Sequence, residues 1–126
     1  MKRVTLILSI FLSTFIVQAQ GEDQVFNSIA NIFTQNNYQE FSKYFANTLD
    51  MTLEDEDGTY GKQQALVLIK DFFESHETKS FRVKHIGSSN ERTNYAVCEL
   101  KSNSNTYSVY ILLNKQSKII QLQIEE

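Results

Sequence analysis

The sequence predicts an α+β domain in which N-terminal helices pack inside a curved antiparallel sheet. Apolar residues recur at three- and four-residue spacing in the first half of the chain, which is typical of amphipathic helices. From Phe81 to the C-terminus, apolar and polar residues alternate in short runs, as in strands with one buried face. The chain has no proline, so no residue of that kind interrupts the expected ladder of strands.

Three helical segments are predicted before the sheet. The first presents its apolar residues on one face: Phe26, Ile29, Ala30 and Phe33. The second is expected to begin after Asn37, with Asn37 and Glu40 forming a capping box. The third is expected from about Lys62 to Glu74. Its wide apolar face contains Ala65, Leu68, Ile69, Phe72 and Phe73.

A short hairpin is predicted between the second and third helices. Leu49, Met51 and Leu53 alternate with polar residues, as in a half-buried strand. The pair Asp57-Gly58 is typical of a tight hairpin turn, so we expect the chain to reverse there.

Four further strands are predicted after the third helix. Their core-facing residues are Phe81, Val83 and His85; Ala96, Cys98 and Leu100; Val109, Ile111 and Leu113; Ile120, Leu122 and Ile124. Polar turn segments separate them at residues 87–90, 103–105 and 114–117. The predicted order is α-α-β-(β)-α-β-β-β-β, and the helices have only the inner face of this sheet on which to bury their apolar sides.

The first residues are typical of a secretory signal peptide. Lys2 and Arg3 precede an apolar run over residues 4–17, and Val17-Gln18-Ala19 has small residues where a signal peptidase cuts. The run is shorter than the roughly 20 residues of a spanning helix. We therefore expect a signal peptide at 1–19, a single domain at 20–126, and an exported protein, periplasmic or secreted, with no membrane anchor after cleavage.

Composition argues against several functional classes. The chain has 12 Lys and Arg against 15 Asp and Glu, and loss of Lys2 and Arg3 would make it more acidic, so nucleic-acid binding is disfavoured. The single cysteine, Cys98, cannot form an internal disulfide and is expected to be a small buried residue. One cysteine and two histidines provide no zinc spacing, and we expect no metal and no cofactor.

The order of predicted elements resembles that of the nuclear transport factor 2-like superfamily, a cone-shaped fold, over nearly all of the mature chain. Local segments are also similar to those of a family of small exported bacterial proteins of unknown function. These segments are Lys43-Tyr44-Phe45; Tyr60-Gly61-Lys62 with Gln64-Ala65; Lys70-Asp71-Phe72-Phe73; Phe81 with His85-Ile86-Gly87-Ser88-Ser89; Tyr95-Ala96; and Thr106-Tyr107 with Val109-Tyr110. The resemblance implies the fold and the compartment but no activity.

Isomerases of the superfamily imply one test for catalysis. They use an aspartate base with a tyrosine and a protonated carboxylic acid inside the cone. In this sequence Asp50, Asp71 and Glu99 fall on the outward positions of their elements, so we carry no catalytic residue over from the resemblance. The fold hosts many functions and is no argument for catalysis by itself.

Two groups of residues are candidates for binding. His85 shares its predicted face with core residues, and with four aromatic residues it would line the mouth of an apolar pocket: Phe41, Tyr44, Phe72 and Phe73. On the opposite face, an apolar patch suited to a homodimer or an envelope protein partner would form if two strands pair: Tyr95, Val97, Tyr110 and Leu112.

Three functional classes remain open at this point. The sequence favours a non-catalytic exported binding or interaction module. The first alternative is a carrier that holds a small apolar ligand in the cone, if the aromatic residues do not simply fill it. The least favoured alternative is an isomerase- or dehydratase-like enzyme centred on His85, because no second acid, base or nucleophile is evident beside it.

Overall fold

The helices and strands of the computed structural model lie within residues 21–90 and 93–126, the part of the chain that the structure describes. The predicted signal peptide, 1–19, lies outside these residues. In chain order the elements are α1 (Gly21–Thr34), a 3-10 helix (Tyr38–Lys43), β1 (Phe45–Leu53), β2 (Glu56–Gly61), α2 (Lys62–Ser75), β3 (Thr78–Asn90), β4 (Thr93–Ser102), β5 (Thr106–Leu113) and β6 (Ile119–Glu125).

The strands form one six-stranded sheet in the order β2-β1-β6-β5-β4-β3. Neighbouring strands are antiparallel except for β1 and β6, which are parallel. The C-terminal meander therefore joins the N-terminal hairpin through β6. This arrangement confirms the predicted α+β class and the order of elements, including the short second strand of the first hairpin.

The core lies between the helices and the inner face of the sheet. Helix α1 packs on β3, and α2 packs on the 3-10 helix and β1. The predicted alternation is confirmed on β4 and β5, where Ala96, Cys98, Leu100, Val109 and Ile111 are all buried. In β6 the buried residue at the start is Ile119 instead of the predicted Ile120, because the register with β5 shifts at Leu113. In the described part of the chain, no helix is long and apolar enough to cross a membrane.

Asn37 is the N-cap residue of the second helical segment, as predicted, but the predicted capping box with Glu40 does not form. Asn36 has a left-handed backbone with φ 53°, and the amides of Asn36 and Asn37 donate to the carbonyls of Phe33 and Ile32. This is a Schellman motif, so both asparagines complete the end of α1. The side chain of Asn37 makes no capping bond, and the segment that follows is a 3-10 helix.

The first hairpin turn lies earlier than predicted. Glu54 and Asp55 connect β1 to β2, whereas Asp57 and Gly58 lie inside β2 and pair with Thr52 and Met51. Glu54 adopts a left-handed φ of 55° although it is not a glycine. Its amide donates to the carbonyl of Ile124 at 2.8 Å, which fixes the turn against the end of β6.

The predicted turn at residues 87–90 is also wrong, because β3 continues to Asn90. Gly87 pairs with Tyr95, and Asn90 pairs with Thr93 at the start of β4. The remaining turn predictions are confirmed, since residues 103–105 and 114–117 separate β4 from β5 and β5 from β6.

Candidate interaction face on the outer side of the sheet

The outer face of the sheet, the side away from the helices, is a regular grid of side chains. One line of cross-strand pairs contains Gly87, Tyr95, Leu112, Gln121, Asp50 and Thr59. The next line contains His85, Val97, Tyr110, Gln123, Thr52 and Asp57. Each line crosses all six strands, so these residues form one continuous surface.

The structure brings the four residues of the predicted patch together in the middle of this face. Tyr95 lies opposite Leu112, and Val97 lies opposite Tyr110. All four are half-buried. We call this group, Tyr95, Val97, Tyr110 and Leu112, the tyrosine patch.

His85 belongs to this outer face, and its predicted inward position is wrong. The pairing of β3 with β4 shifts between Val83 and His85, so that Val83 lies opposite Cys98 but His85 lies opposite Val97. The shift is a β-bulge, which inserts one extra residue, Lys84, and reverses the facing of the residues beyond it. His85 is therefore exposed, and Ile86 takes the core side opposite Ala96.

Three aromatic side chains extend across the patch in contact with one another. The ring of His85 lies 5.7 Å from that of Tyr95, and its Nε2 is 3.3 Å from the Tyr95 hydroxyl. The Tyr95 and Tyr110 rings are 5.8 Å apart and nearly parallel, at 23°. Such ring pairs prefer offset parallel or edge-on geometry, and they hold the patch in a defined shape.

Gly87 gives the Tyr95 ring its position. A Cβ at residue 87 would lie 2.6 Å from the Tyr95 hydroxyl oxygen and 2.7 Å from Cζ. Since carbon atoms in contact normally stand about 3.5–4.0 Å apart, only a glycine leaves room for this ring.

Charges of opposite sign lie at the two ends of the outer face. At the β1–β2 end, the hydroxyls of Thr59 and Thr52 donate to the carboxylates of Asp50 and Asp57 at 2.7 and 3.2 Å. These four residues, with Gly58, Gln121 and Gln123, line a shallow polar hollow of about 390 Å³.

The β3–β4 end is basic. Arg82 and Lys101 lie 4.0 and 3.8 Å from the carboxylate of Glu99. Lys84, the extra residue of the bulge, lines a hollow beside Val97, Glu99 and Ser108. Glu126 lines the same hollow, so three cations stand against two carboxylates at this end.

The predicted pocket residues Phe41, Phe72 and Phe73 lie inside the cone, as expected. Their rings contact other aromatic rings there instead of lining an open pocket. They are 0 %, 6 % and 4 % exposed. Phe33 stands at the centre of this cluster, with its ring 5.3 Å from Phe41, 5.4 Å from Phe73 and 4.3 Å from Phe81. A ligand in this space would have to displace these rings.

Tyr44, the fourth aromatic residue of the predicted pocket, lies at the surface and not inside the cluster of phenylalanine rings. It is half-buried at the edge of a polar hollow of about 290 Å³, which it shares with Asn31, Asn37 and Glu40 among other residues. Its carbonyl accepts a hydrogen bond from the amide of Ile119, which connects the end of the 3-10 helix to β6. The predicted pocket set is thus divided among the core, a surface hollow and the outer face.

A polar cluster that the sequence did not indicate joins three elements at one end of the cone. Glu54 accepts a hydrogen bond from the Tyr107 hydroxyl at 3.3 Å and lies 3.0 Å from His76 Nε2. His76 Nδ1 is 3.2 Å from the carbonyl of Phe72, whose ring stacks on the imidazole at 4.6 Å. Burial, followed by the charge of Glu54, raises the pKa of Tyr107 to about 12. These residues are distant in sequence, and no local pattern marks them.

Among the described residues, Cys98 and the carboxylates form no recognisable catalytic or metal-binding site. Burial raises the pKa of the Cys98 thiol to about 12, so the residue is a poor nucleophile. Within residues 21–90 and 93–126, no group of three or more His, Cys, Asp or Glu could hold a metal ion. Glu54, Asp55, Glu125 and Glu126 line a hollow of about 420 Å³ beside the polar cluster.

Comparison with known proteins agrees with the fold. The model of a family described as a domain of unknown function, DUF4783, matches residues 26–125. A DUF4783 protein of Bacteroides uniformis is 21% identical, with a TM-score of 0.74, over 79% of this chain and 94% of that one. A DUF4783 protein of Bacteroides ovatus is 23% identical, with a TM-score of 0.72, over 78% of this chain and 91% of that one.

The cone shape extends to proteins outside that family. The protein Rd1NTF2_04 with long sheet is 13% identical, with a TM-score of 0.67, over 82% of this chain and 98% of that one. At this identity the likeness is one of fold alone. No curated protein sequence matches the chain.

Proposed function

Because the chain belongs to the DUF4783 family, a domain of unknown function with a nuclear transport factor 2-like fold, we propose its role from its own surfaces. We infer that it is an exported, non-catalytic interaction module that binds a protein partner through the outer face of its sheet. The observation that carries this proposal is the tyrosine patch, with two near-parallel rings beside His85 on a face that the helices leave uncovered.

The chemistry of the patch supports protein binding. Tyrosine is enriched where protein surfaces meet, because its ring supplies apolar contact area and its hydroxyl can still bond to a partner or to water. Val97 and Leu112 add aliphatic surface at the centre, and Gln121 and Gln123 border it. A polar border around an apolar centre is the usual anatomy of an interface.

The contrast between the two faces favours this proposal over a carrier. Phe33, Phe41 and Phe73 fill the centre of the cone with ring contacts, so binding there would cost the packing of the core. The enzyme alternative loses its main support, since His85 is exposed and its Nε2 lies 3.3 Å from the hydroxyl of Tyr95. Such a pair lacks the carboxylate that would orient a catalytic histidine.

Export rests on the sequence alone. Lys2 and Arg3, the apolar run over residues 4–17 and the small residues around Ala19 support a cleaved signal peptide. In this proposal the module works in the periplasm or outside the cell, and its partner is found there.

Site-specific photo-crosslinking in an exporting bacterium tests the proposal. A benzophenone amino acid at Tyr110 is expected to give a discrete adduct with a partner chain. The matched control carries the same group at Val67, which is 56% exposed on α2, away from the sheet's outer face. Adducts from both positions, or from neither, would refute the proposal.

A further inference from the structure

A polar hollow between α1 and the 3-10 helix is a second candidate binding site. It has a volume of about 290 Å³ and lies on the helical side of the molecule, so it is separate from the outer face of the sheet. The Schellman turn at Asn36 reverses the chain and brings the two walls of the hollow together, with the amide of Asn37 bonded to the carbonyl of Ile32 at 3.0 Å. We call this site the amide hollow.

The first wall of the amide hollow belongs to α1. Ser28, Asn31 and Gln35 are three and four residues apart, so they lie along one side of the helix. Gln35 follows directly after α1, and its backbone amide still donates to the carbonyl of Asn31 at 2.9 Å, which continues the helical pattern. Buried Ile32 lines the hollow on the same wall. This wall is therefore a row of polar side chains on a rigid support.

The second wall is formed by the 3-10 helix and the residues at its two ends. Asn37, Glu40 and Tyr44 line it. The carboxylate of Glu40 lies 2.7 Å from Lys43 Nζ, so its negative charge is balanced within the same helix. Tyr44 is half-buried and adds an aromatic ring to this wall. The amide hollow is thus polar, close to neutral, and aromatic at one side.

The three primary amides of the hollow determine which ligand it fits. Within residues 21–90 and 93–126, the side chains of Asn31, Gln35 and Asn37 make no hydrogen bond. Each amide has two N–H donors and one carbonyl acceptor, so a matching ligand must supply donors and acceptors close together. Hydroxyl groups do both, because each donates one hydrogen bond and accepts others. An apolar ligand would leave these amides unpaired, which is costly.

We propose that the amide hollow binds a neutral sugar. The hydroxyls of the sugar bond to the three amides, and one of them donates to the Glu40 carboxylate, which is an acceptor only. The C–H side of the sugar ring packs on the ring of Tyr44. The volume lies at the lower end of the range for small-molecule sites, roughly 300–1,000 Å³, so it fits a single sugar unit. This inference goes beyond the interaction module, because it uses another surface and another class of ligand.

An NMR titration observes the proposed contacts directly, because the side-chain NH₂ groups of asparagine and glutamine give their own signals. The probes are glucose, galactose, mannose and N-acetylglucosamine. We expect at least one of them to shift the NH₂ signals of Asn31, Gln35 and Asn37 until saturation, with a dissociation constant of about 1 mM. The NH₂ signals of Gln121 and Gln123, on the outer face, are the internal control and should not move. Binding this weak does not survive purification, so the isolated protein should carry no sugar.

Two substitutions remove an amide from the hollow and nearly keep the size of the side chain. Asn31→Leu and Gln35→Met are each expected to weaken sugar binding about tenfold or more, because they remove both donors and the acceptor. The matched control is Gln39→Met, at an exposed position of the 3-10 helix that does not line the hollow, and it should leave binding unchanged. All three positions are exposed, and circular dichroism checks that each variant is folded.

Three results would overturn the proposal. The first is the absence of a saturable shift with all four sugars at about ten times the expected constant. The second is a shift that persists in both Asn31→Leu and Gln35→Met. The third is a response to the neutral amide N-acetylglycinamide and to none of the sugars, which would make the hollow a peptide site. Crosslinking at Tyr110 concerns the other side of the molecule, so either proposal can fail while the other stands.

Discussion

The ring of Tyr95 occupies the space that a side chain at residue 87 would need, so Gly87 and Tyr95 form a matched pair on adjacent strands. A Cβ at residue 87 would come within 2.6–2.9 Å of three atoms of that ring. The glycine has no positive φ, so its role is to leave space and not to supply an unusual backbone conformation. Through this pair, an ordinary glycine of β3 fixes the centre of the outer face.

Gly87→Ala is expected to push Tyr95 away from His85 and Tyr110 while the fold is retained. We expect a loss of about 1 kcal/mol in the free energy of unfolding, from the broken ring contacts, and weaker binding through the outer face. Urea denaturation measures the first effect, and the yield of photo-crosslinked adduct measures the second. The matched control is Gly61→Ala, where the nearest atom to an added Cβ is 3.9 Å away. If Gly87→Ala and Gly61→Ala behave alike, the steric account of residue 87 is wrong.

Thr78→Val is expected to stabilise the protein by up to about 1 kcal/mol, because it removes a buried unpaired hydroxyl. Thr78 is 5 % exposed, and its Oγ1 has no hydrogen-bond partner. The backbone of Thr78 keeps its bonds to the Asn36 side chain, at 2.9 and 3.3 Å, so the substitution leaves the junction between α1 and β3 intact. Urea denaturation measures the change, with exposed Thr106→Val as the control. A clear destabilisation would mean that the hydroxyl has a partner in solution.

Tyr107→Phe is expected to cost about 0.5–1 kcal/mol at neutral pH, because it removes the hydroxyl that donates to the exposed carboxylate of Glu54. The raised pKa of Tyr107, about 12 against an ordinary 10.0, also predicts a pH dependence. The folded state holds the phenol proton more tightly than the unfolded state, so this stabilisation is complete below pH 10 and is lost as the pH rises towards 12. Urea denaturation above pH 10 should show a shallower decline for Tyr107→Phe than for the wild type. Equal slopes would contradict the burial argument.

Cys98 gives a second, independent pH effect. Burial raises its pKa from 9.0 to about 12, so its contribution to stability is complete below pH 9 and decreases as the pH rises towards 12. Over that interval the free energy of unfolding should fall by about 1.4 kcal/mol for each pH unit on account of this one thiol. Cys98→Ala should remove that part of the slope, at a cost of about 1 kcal/mol at neutral pH for the small cavity.

Thiol labelling provides the complementary measurement on Cys98. The residue is 1% exposed, so a thiol reagent should react only through unfolding and at a rate that follows the stability of the chain. Rapid labelling of the native protein would show that the sheet opens locally at this point.

The C-terminal meander could be predicted in detail because its residues alternate strictly. In β4 and β5 the apolar residues fall on one parity, and the side-chain period of two determines which face each residue occupies. The tyrosine patch follows from the same rule. Its four residues could therefore be identified from the sequence without knowledge of the residues that surround them on the sheet.

The features that sequence reasoning missed depend on backbone irregularities and on long-range contacts. The bulge at Lys84 moves His85 to the outer face, and no residue type within 81–86 indicates a bulge. The turn lies at Glu54 instead of Asp57-Gly58, because bonds from β6, α2 and β5 hold a left-handed glutamate there. The Glu54, His76 and Tyr107 cluster joins positions far apart in the sequence, which periodicity cannot relate.

The contrast between an uncovered outer face and a filled interior is the central claim, and native mass spectrometry tests it most directly. The protein is purified from an exporting host without denaturation, and its mass is measured before and after denaturation. We predict that the native mass is that of the protein alone, with no small molecule attached. A single chain that carries a reproducible small-molecule mass, lost on denaturation, would contradict the claim and favour the carrier.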